Sequence, residues 1–341
     1  MDRKLGFGGL ARIGEPKRRR SKWEMERRRR HIVIVVIALT IVSALALVGY
    51  GYYATRIKPW HQPIVKVNDT VCDMNYFVKM LRLSGAGQNP YQDVGLAQST
   101  ALAMINYELM RQGAEEQFGV SASEEAVNGK IRELFGSGIT DEEFEQKYQG
   151  AMESLPEIGV SEGDFKRLGV EPEVIQSELL DRIGDAEYPV SGLFPHAHMQ
   201  AILVVGSDNA TVVKERWSEG IEQLAEDFSA SRYYPNTDNV EWVPIGLESS
   251  TFDDYVFGKG SDNLGWISDP IEDSEHSGSY WVVQVLGKED RPLGEDHRNV
   301  LVQQAFDEWL DNEKEPEVNE IINYVGGEAG LGKIDWALDN V

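Results

Sequence analysis

His196 and His198, two residues apart, are the first residues whose type and spacing suggest chemistry. Period-two alternation puts both on one face of a strand, where imidazoles can begin a metal site. A closed zinc site needs four donors, and no cysteine or carboxylate cluster stands near these two. They read as a solvated or loop pair. Asp253-Asp254 and Glu272-Asp273 are carboxylate pairs of the kind that carry general acid–base work. In so acidic a chain they read as solvated faces. Gly258-Lys259-Gly260 lacks the pattern of a phosphate loop and reads as a turn. Trp242, Trp266, Trp281 and Trp309 read as core or groove aromatics rather than a cofactor box. Nothing resembles a Ser/His/Asp triad or a dinucleotide fingerprint, so neither a cofactor nor a metal is expected. Cys72 is the single cysteine, which excludes an internal disulfide. With no His/Asn signature beside it, it is expected as a small buried hydrophobe.

The elements that must position these residues change character along the chain. Residues 64–71 alternate and end in a turn, which predicts a short strand. Asp73 caps a helix over 74–83, with Tyr76, Phe77, Met80 and Leu81 on one face. Ser84–Pro90 breaks it, and a long helix over 92–118 should follow. Ser121 with Glu124 reads as a capping box for 124–135, and Thr140 with Glu143 as one for 141–155. Ser161 with Asp164 is a further echo, and Pro172 opens a helix over 172–183. Pro189, Gly192 and Pro195 mark a link, beyond which the periodicity switches. There 200–205 predicts a strand, 211–228 an amphipathic helix, 239–243 a short strand, 251–257 a short helix and 279–286 a final strand. Residues 295–313 form another amphipathic helix. The fold class is therefore α+β.

The N-terminus has a different logic. Residues 1–30 carry twelve Lys/Arg and four Asp/Glu, and Ile32–Ala54 then runs without a charge. At about 1.5 Å of helix rise per residue, that run spans the ~30 Å hydrocarbon core of a bilayer. The positive-inside bias puts the basic tail in the cytoplasm and everything after about Arg56 outside. A cleaved secretory signal is the alternative, with Ser43-Ala44-Leu45-Ala46 as a candidate site inside the run. Of the net charge of −24, the basic tail contributes +8, so the remainder holds −32. That argues against nucleic acid and anionic lipid as partners of the outer part, and for solubility or cationic clients.

Several local matches, in order along the chain, resemble the parvulin (PpiC-type) peptidyl-prolyl isomerase family, in the manner of SurA- and PrsA-like foldases. Val65-Lys66-Val67-Asn68-Asp69 is similar to the opening "V-N-G" of their chaperone domain. Gln117-Phe118-Gly119-Val120-Ser121 with Glu124-Glu125 resembles "G-I-x-V-S-x-E-E". Ile202-Leu203-Val204 resembles "H-I-L-V", and Leu224–Ser229 resembles "L-A-x-x-Y-S". Asn239–Val243, Phe252–Phe257, Ile267–Ile271 and Tyr280–Val283 resemble "D-L-G-W-F", "F-E-x-A-x-F", "x-S-x-P-V" and "Y-H-I-I". The trailing helix with Trp309-Leu310 fits as well.

What the resemblance implies can be stated residue by residue. Active members carry two histidines with an acidic or thiol residue; here those positions are Ala201, Trp281 and, near a poorly aligned loop, Ser231. Of the proline pocket, Phe252 is retained, Val240 stands for a leucine, and the methionine position falls near Leu247 or Glu248. An apolar slot on Phe252 and Trp281 has lost the polar half of the site that lowers the ~18–20 kcal/mol imide barrier. Weak or lost isomerisation is the expectation. The expected organisation is a basic cytoplasmic tail (1–31), a transmembrane helix (32–54) and an all-α SurA-like chaperone domain (62–184) completed by the helix at 295–313. A parvulin-like domain (190–290), a small antiparallel sheet flanked by helices, is inserted between them. An acidic tail (314–341) carries Ile321, Ile322, Trp336 and Leu338 as docking points. The expected partners are unfolded or proline-containing exported polypeptides. The alternative is a non-catalytic protein that docks one specific envelope partner.

Overall fold

A computed structural model describes residues 22–85, 93–136, 138–234, 242–258 and 264–341. The chain splits into two compact units, 1–62 and 63–341. In the first, helix α1 (Lys22–Tyr52) continues through a π-helical turn (Tyr53–Ile57) and a 3-10 turn (Lys58–His61). The stretch Val33–His61 is long and apolar enough to cross a membrane, judged by length and composition. Its aliphatic side chains are exposed, Leu47 and Val48 by more than two thirds. Its polar side chains turn inward on the backbone: the Thr40 and Thr55 hydroxyls each donate to the carbonyl four residues back, at 2.8 Å. A lipid phase would demand that economy.

The second unit begins with a hairpin, β1 (Pro63–Val67) and β2 (Thr70–Asp73). Where one strand was expected over 64–71, the chain reverses at Asn68-Asp69. Asn68 takes the left-handed conformation (φ 52°), which Asn tolerates better than most residues. Its side chain donates to Gln112 at 2.8 Å and Asn319 at 2.7 Å, and accepts from the Glu320 amide at 2.9 Å. Those contacts bring in a third strand, β8 (Ile321–Asn323), antiparallel on β1 in the order β2-β1-β8. Residues 314–341 are therefore not a loose acidic tail. Helix α12 (Leu331–Leu338) packs on the helices introduced next as α2 and α3, and Lys333 Nζ donates to the Pro63 carbonyl at 2.7 Å.

Helix α2 (Met74–Leu83) starts where Asp73 accepts from the Tyr76 amide at 3.0 Å. Helix α3 (Asp93–Gly113) runs into a π-helical turn, Ala114–Phe118, stopped by Gly119 at φ +64°. Helix α4 (Glu124–Gly136) is capped by Ser123, whose hydroxyl accepts from the Ala126 amide at 3.1 Å, and not by Ser121 as the spacing suggested. Both other capping boxes form: Thr140–Glu143 opens α5 (Asp141–Ser154), and Ser161–Asp164 opens α6 (Glu162–Phe165). A second π-helical turn, Lys166–Val170, leads into α7 (Glu171–Glu187).

Beyond the link, β3 (Phe194–Val205) pairs antiparallel along its length with β7 (Ser279–Arg291). Between them in sequence come α8 (Ser207–Glu215), α9 (Ile221–Asp227), β4 (Arg232–Tyr234), β5 (Trp242–Pro244), α10 (Ser250–Phe257) and β6 (Ile271–Glu272). The sheet order is β4-β3-β7-β6, with β5 also on β3. The single helix expected over 211–228 is broken, because Gly220 at φ +95° turns the chain between α8 and α9. The two faces divide cleanly. Ile202, Val204 and Val282 pack under α8 and α9; Ala197, Met199, Ala201, Leu203, Trp281 and Val283 pack under α10. Helix α11 (Glu295–Glu313) returns to pack on α7 and α3. Gly113 makes room for it, since a Cβ there would sit 2.8 Å from the Trp309 ring.

Ending the chain at Val318 removes β8 and α12, leaves one edge of β1 unpaired and takes the Asn319 and Glu320 partners from the Asn68 side chain. Thermal unfolding followed by circular dichroism should show a midpoint lower by at least about 5 °C than the full chain. An unchanged midpoint would contradict the folded role given to these last residues.

Candidate functional site

The site expected from the resemblance lies on the α10 face of the larger sheet. Ala201 pairs with Val283, and Trp281 pairs with Leu203 on the neighbouring strand. Both are fully buried, as is Phe252 from α10. The Phe252 and Trp281 rings meet at 4.7 Å between centroids, tilted by 55°. Tyr234 stacks on the far side of Trp281 at 6.4 Å. The indole thus occupies the space between the helix and the sheet. Leu247 is half-buried against the same cluster. Ser231 is exposed just before β4, and Tyr234, not Ser231, is the residue opposite Ala201. Val240 lies outside the described residues.

The polar half of the site is not where a histidine pair would put it. Asp273, expected on a solvated face, is 4 % exposed. Its Oδ2 accepts from Trp281 Nε1 at 2.6 Å and from the Ser249 hydroxyl at 2.7 Å. Its Oδ1 accepts from the amides of Glu275 (2.9 Å) and His276 (2.6 Å), and lies 2.9 Å from His276 Nδ1. Burial alone would raise this carboxyl; the donors from Ser249, His276 and Trp281 outweigh it and hold the group at about 2. It is a fixed anion that ties the last strand to α10. Thr251 adds to the tie, donating to the Glu272 carbonyl at 2.9 Å and accepting from the Ser274 amide at 3.1 Å.

A second acidic pair is divided in the same way. Asp254 is exposed, whereas Asp253 is half-buried with Oδ2 accepting from the Gly246 amide at 2.8 Å. Its Oδ1 is buried with no hydrogen-bond partner among the described residues. Burial pushes its carboxyl up to about 6, with Glu248, Asp254 and Glu275 adding repulsion. Glu248 accepts from the Tyr234 hydroxyl and from Arg232 at 2.8 Å, yet burial holds it above the usual range. Of the two pairs, only Asp254 and Glu272 are exposed: successive residues point apart on helix α10 as they do at the end of strand β6, so one member of each pair turns inward. The histidines are also placed differently from expectation. His196 is buried on β3, with Nδ1 2.7 Å from the Phe194 carbonyl; His198 is half-buried at 5.7 Å from the Trp242 ring. Among the described residues no three His, Cys, Asp or Glu side chains gather as a metal site.

This geometry has an apolar wall and an anchored carboxylate, but no imidazole beside Ala201 or Trp281. The chain is similar to the crystal structure of peptidylprolyl isomerase (PrsA) from Bacillus cereus, at 15% identity over 82% of this chain and 92% of that one, with a TM-score of 0.33. It is similar to foldase protein PrsA from Streptococcus pneumoniae, at 16% identity, 80% and 90% coverage and a TM-score of 0.29. A SurA-like chaperone structure from Campylobacter jejuni gives 11% identity, 76% and 98% coverage and a TM-score of 0.24. No family model and no curated protein matches the chain. The solved structures are thus PrsA- and SurA-like foldases, the group whose motifs the sequence resembles.

Two substitutions test the wiring. Asp273→Ala leaves the Trp281 indole N–H unpaired and the Ser249 hydroxyl with only Thr251 at 3.3 Å, and should cost about 3 kcal/mol in a denaturant titration. A loss below about 1 kcal/mol would contradict the clamp. Asp253 has the opposite sign: its raised pKa contributes stability that is complete below about pH 4 and is lost as pH rises through about 6. Asp253→Asn should therefore flatten the fall in stability between pH 4 and 7, measured as the unfolding midpoint at each pH. A fall as steep as in the parent would show that Asp253 does not titrate there.

Proposed function

We propose that this chain is a membrane-anchored, extracytoplasmic protein-folding factor that holds unfolded exported polypeptides, with a parvulin-like module that no longer turns proline bonds efficiently. The observation that carries this reading is Trp281. It stands where the resemblance gives a histidine, it is 0 % exposed against Phe252, and its indole N–H is committed to Asp273. A twisted imide needs a dry slot and hydrogen bonds tuned to it. Here a side chain fills the slot, and the nearby carboxylate is spent on that side chain.

The remaining parts fit a holding role. Residues 62–184 with 295–313 serve as the chaperone domain, and 190–290 as the module that engages proline-bearing stretches. The stretch Val33–His61 serves as the anchor, with the basic N-terminal tail inside. The strong negative charge outside favours cationic clients and long-range attraction to them. The filled slot equally favours a second reading, a non-catalytic protein that docks one envelope partner. In vivo crosslinking separates the two: a broad spread of exported chains supports the holding factor, and one dominant partner supports the alternative.

Two further measurements carry the test. Purified full chain should accelerate isomerisation of a short proline peptide by less than about tenfold while it suppresses aggregation of a denatured client. Inactivity in both assays would remove the foldase reading. External protease on spheroplasts should leave only a membrane-held N-terminal fragment, whereas complete protection would reverse the orientation.

A further inference from the structure

A cleft of about 440 Å³ opens between β2, α2, α3 and the turn that leads into α7. Its floor is polar although buried: Tyr107 and Glu108 are each 5 % exposed and Cys72 is 8 % exposed. Burial alone would raise the Glu108 carboxyl, but Arg111, at 2.6 and 3.1 Å, and Gln112, at 2.6 Å, hold it below the ordinary range. Lys79 is matched in the same way by Asp164 at 2.8 Å. These two pairs cancel. Both pairs are only partly buried, so they add little to stability.

Arg167, Glu171 and Asp73 remain around the cleft, and Asp73 is held by the Tyr76 amide at 3.0 Å as the cap of α2. Four residues apart on a regular helix, Arg167 and Glu171 would close on each other. The π-helical turn Lys166–Val170 takes them out of that register, and such turns recur at functional sites. Among the described residues Arg167 makes no hydrogen bond or ion pair; its guanidinium lies 5.8 Å from the centroid of the Tyr76 ring. Glu171 receives a single long hydrogen bond, 3.3 Å, from the Tyr107 hydroxyl. The positive charge of Arg167 is felt at Cys72, Tyr76 and Tyr107, so it faces the cleft. The thiol itself is pushed up to about 11 by burial and stays protonated, which leaves it a wall and not a nucleophile.

We propose that this cleft binds a zwitterionic stretch of polypeptide, its carboxylate on Arg167 and its cationic group on Glu171. A lone anion would meet Glu171, and a lone cation would meet Arg167 and Arg111; a ligand that carries both charges satisfies both. The fork of Arg167 suits a carboxylate held by two parallel hydrogen bonds. The volume is within the range of ligand pockets and takes a segment of a few residues. In an exterior so negatively charged, the cleft is a local place where an acidic client residue is accepted. The inference goes beyond the holding role and does not need the parvulin-like module.

The test uses the full chain in mild detergent and fluorescent peptides blocked at both ends, each with one Glu and one Lys two residues apart. Anisotropy should show binding that weakens about tenfold when Glu becomes Gln or Lys becomes norleucine, the ratio one charge-assisted pair gives. Arg167→Ala should abolish the Glu-over-Gln preference and keep the Lys-over-norleucine preference; Glu171→Gln should do the reverse. Both variants should melt close to the parent, since Arg167 only lies over the Tyr76 ring and Glu171 accepts one long hydrogen bond from Tyr107. Competition by free lysylglutamate would assign the ligand to chain ends, and its failure to compete would assign it to internal segments. Equal affinity for all peptides, or variants that discriminate as the parent does, would overturn the proposal. Aggregation suppression lost while peptide discrimination persists would overturn the holding role alone.

Discussion

One carboxylate constrains the larger sheet and everything argued about it. Asp273 sits where the chain leaves β6 for β7, and its two oxygens collect two backbone amides, a hydroxyl, an indole N–H and an imidazole Nδ1. A buried carboxylate is tolerable only when it is so fully bonded. The consequence is local rigidity in the places that matter. The loop before β7 is fastened to the start of α10, the Trp281 ring is oriented, and Phe252 has a fixed surface to pack on. Where the resemblance would place an imidazole, the chain has an aromatic side chain with its own hydrogen-bond acceptor.

Much of the architecture was legible from the residues. The capping boxes at Thr140 and Ser161, the Asp73 cap and the helix over 295–313 follow from short-range rules that depend on a few neighbours. The misses come from longer-range demands. The strand at Ile321–Asn323 has no meaning until β1 exists to pair with it, 250 residues earlier in the chain, and Asn68 is the joint between them. Gly220 broke a helix whose apolar periodicity read as continuous, because periodicity is blind to a single left-handed residue.

Site residues divide along the same line. Ala201, Phe252 and Trp281 share one face as strand alternation and helix periodicity demand. Asp273 and Asp253 were hidden by composition: among 57 acidic residues, two that turn inward look like the rest. A usable signal was present, since Glu272-Asp273 directly precedes a strongly apolar strand and one member of such a pair must face the core. Ser249 and Thr251, two hydroxyls at the start of a short helix, were the complementary donors. The polar cleft near Arg167 left no such trace, because it is assembled from β2, α2, α3 and a π-helical turn that sequence rules do not announce.

The central claim is that Trp281 permanently occupies the space where a proline ring would sit. The most direct measurement is fluorine NMR of the full chain labelled with 5-fluorotryptophan, the Trp281 resonance being assigned by its loss in Trp281→Phe. The account predicts a signal insensitive to exchange of H2O for D2O and unmoved by saturating proline peptide. A resonance that shifts saturably with that peptide would mean that the ring leaves the slot, and the account would be wrong.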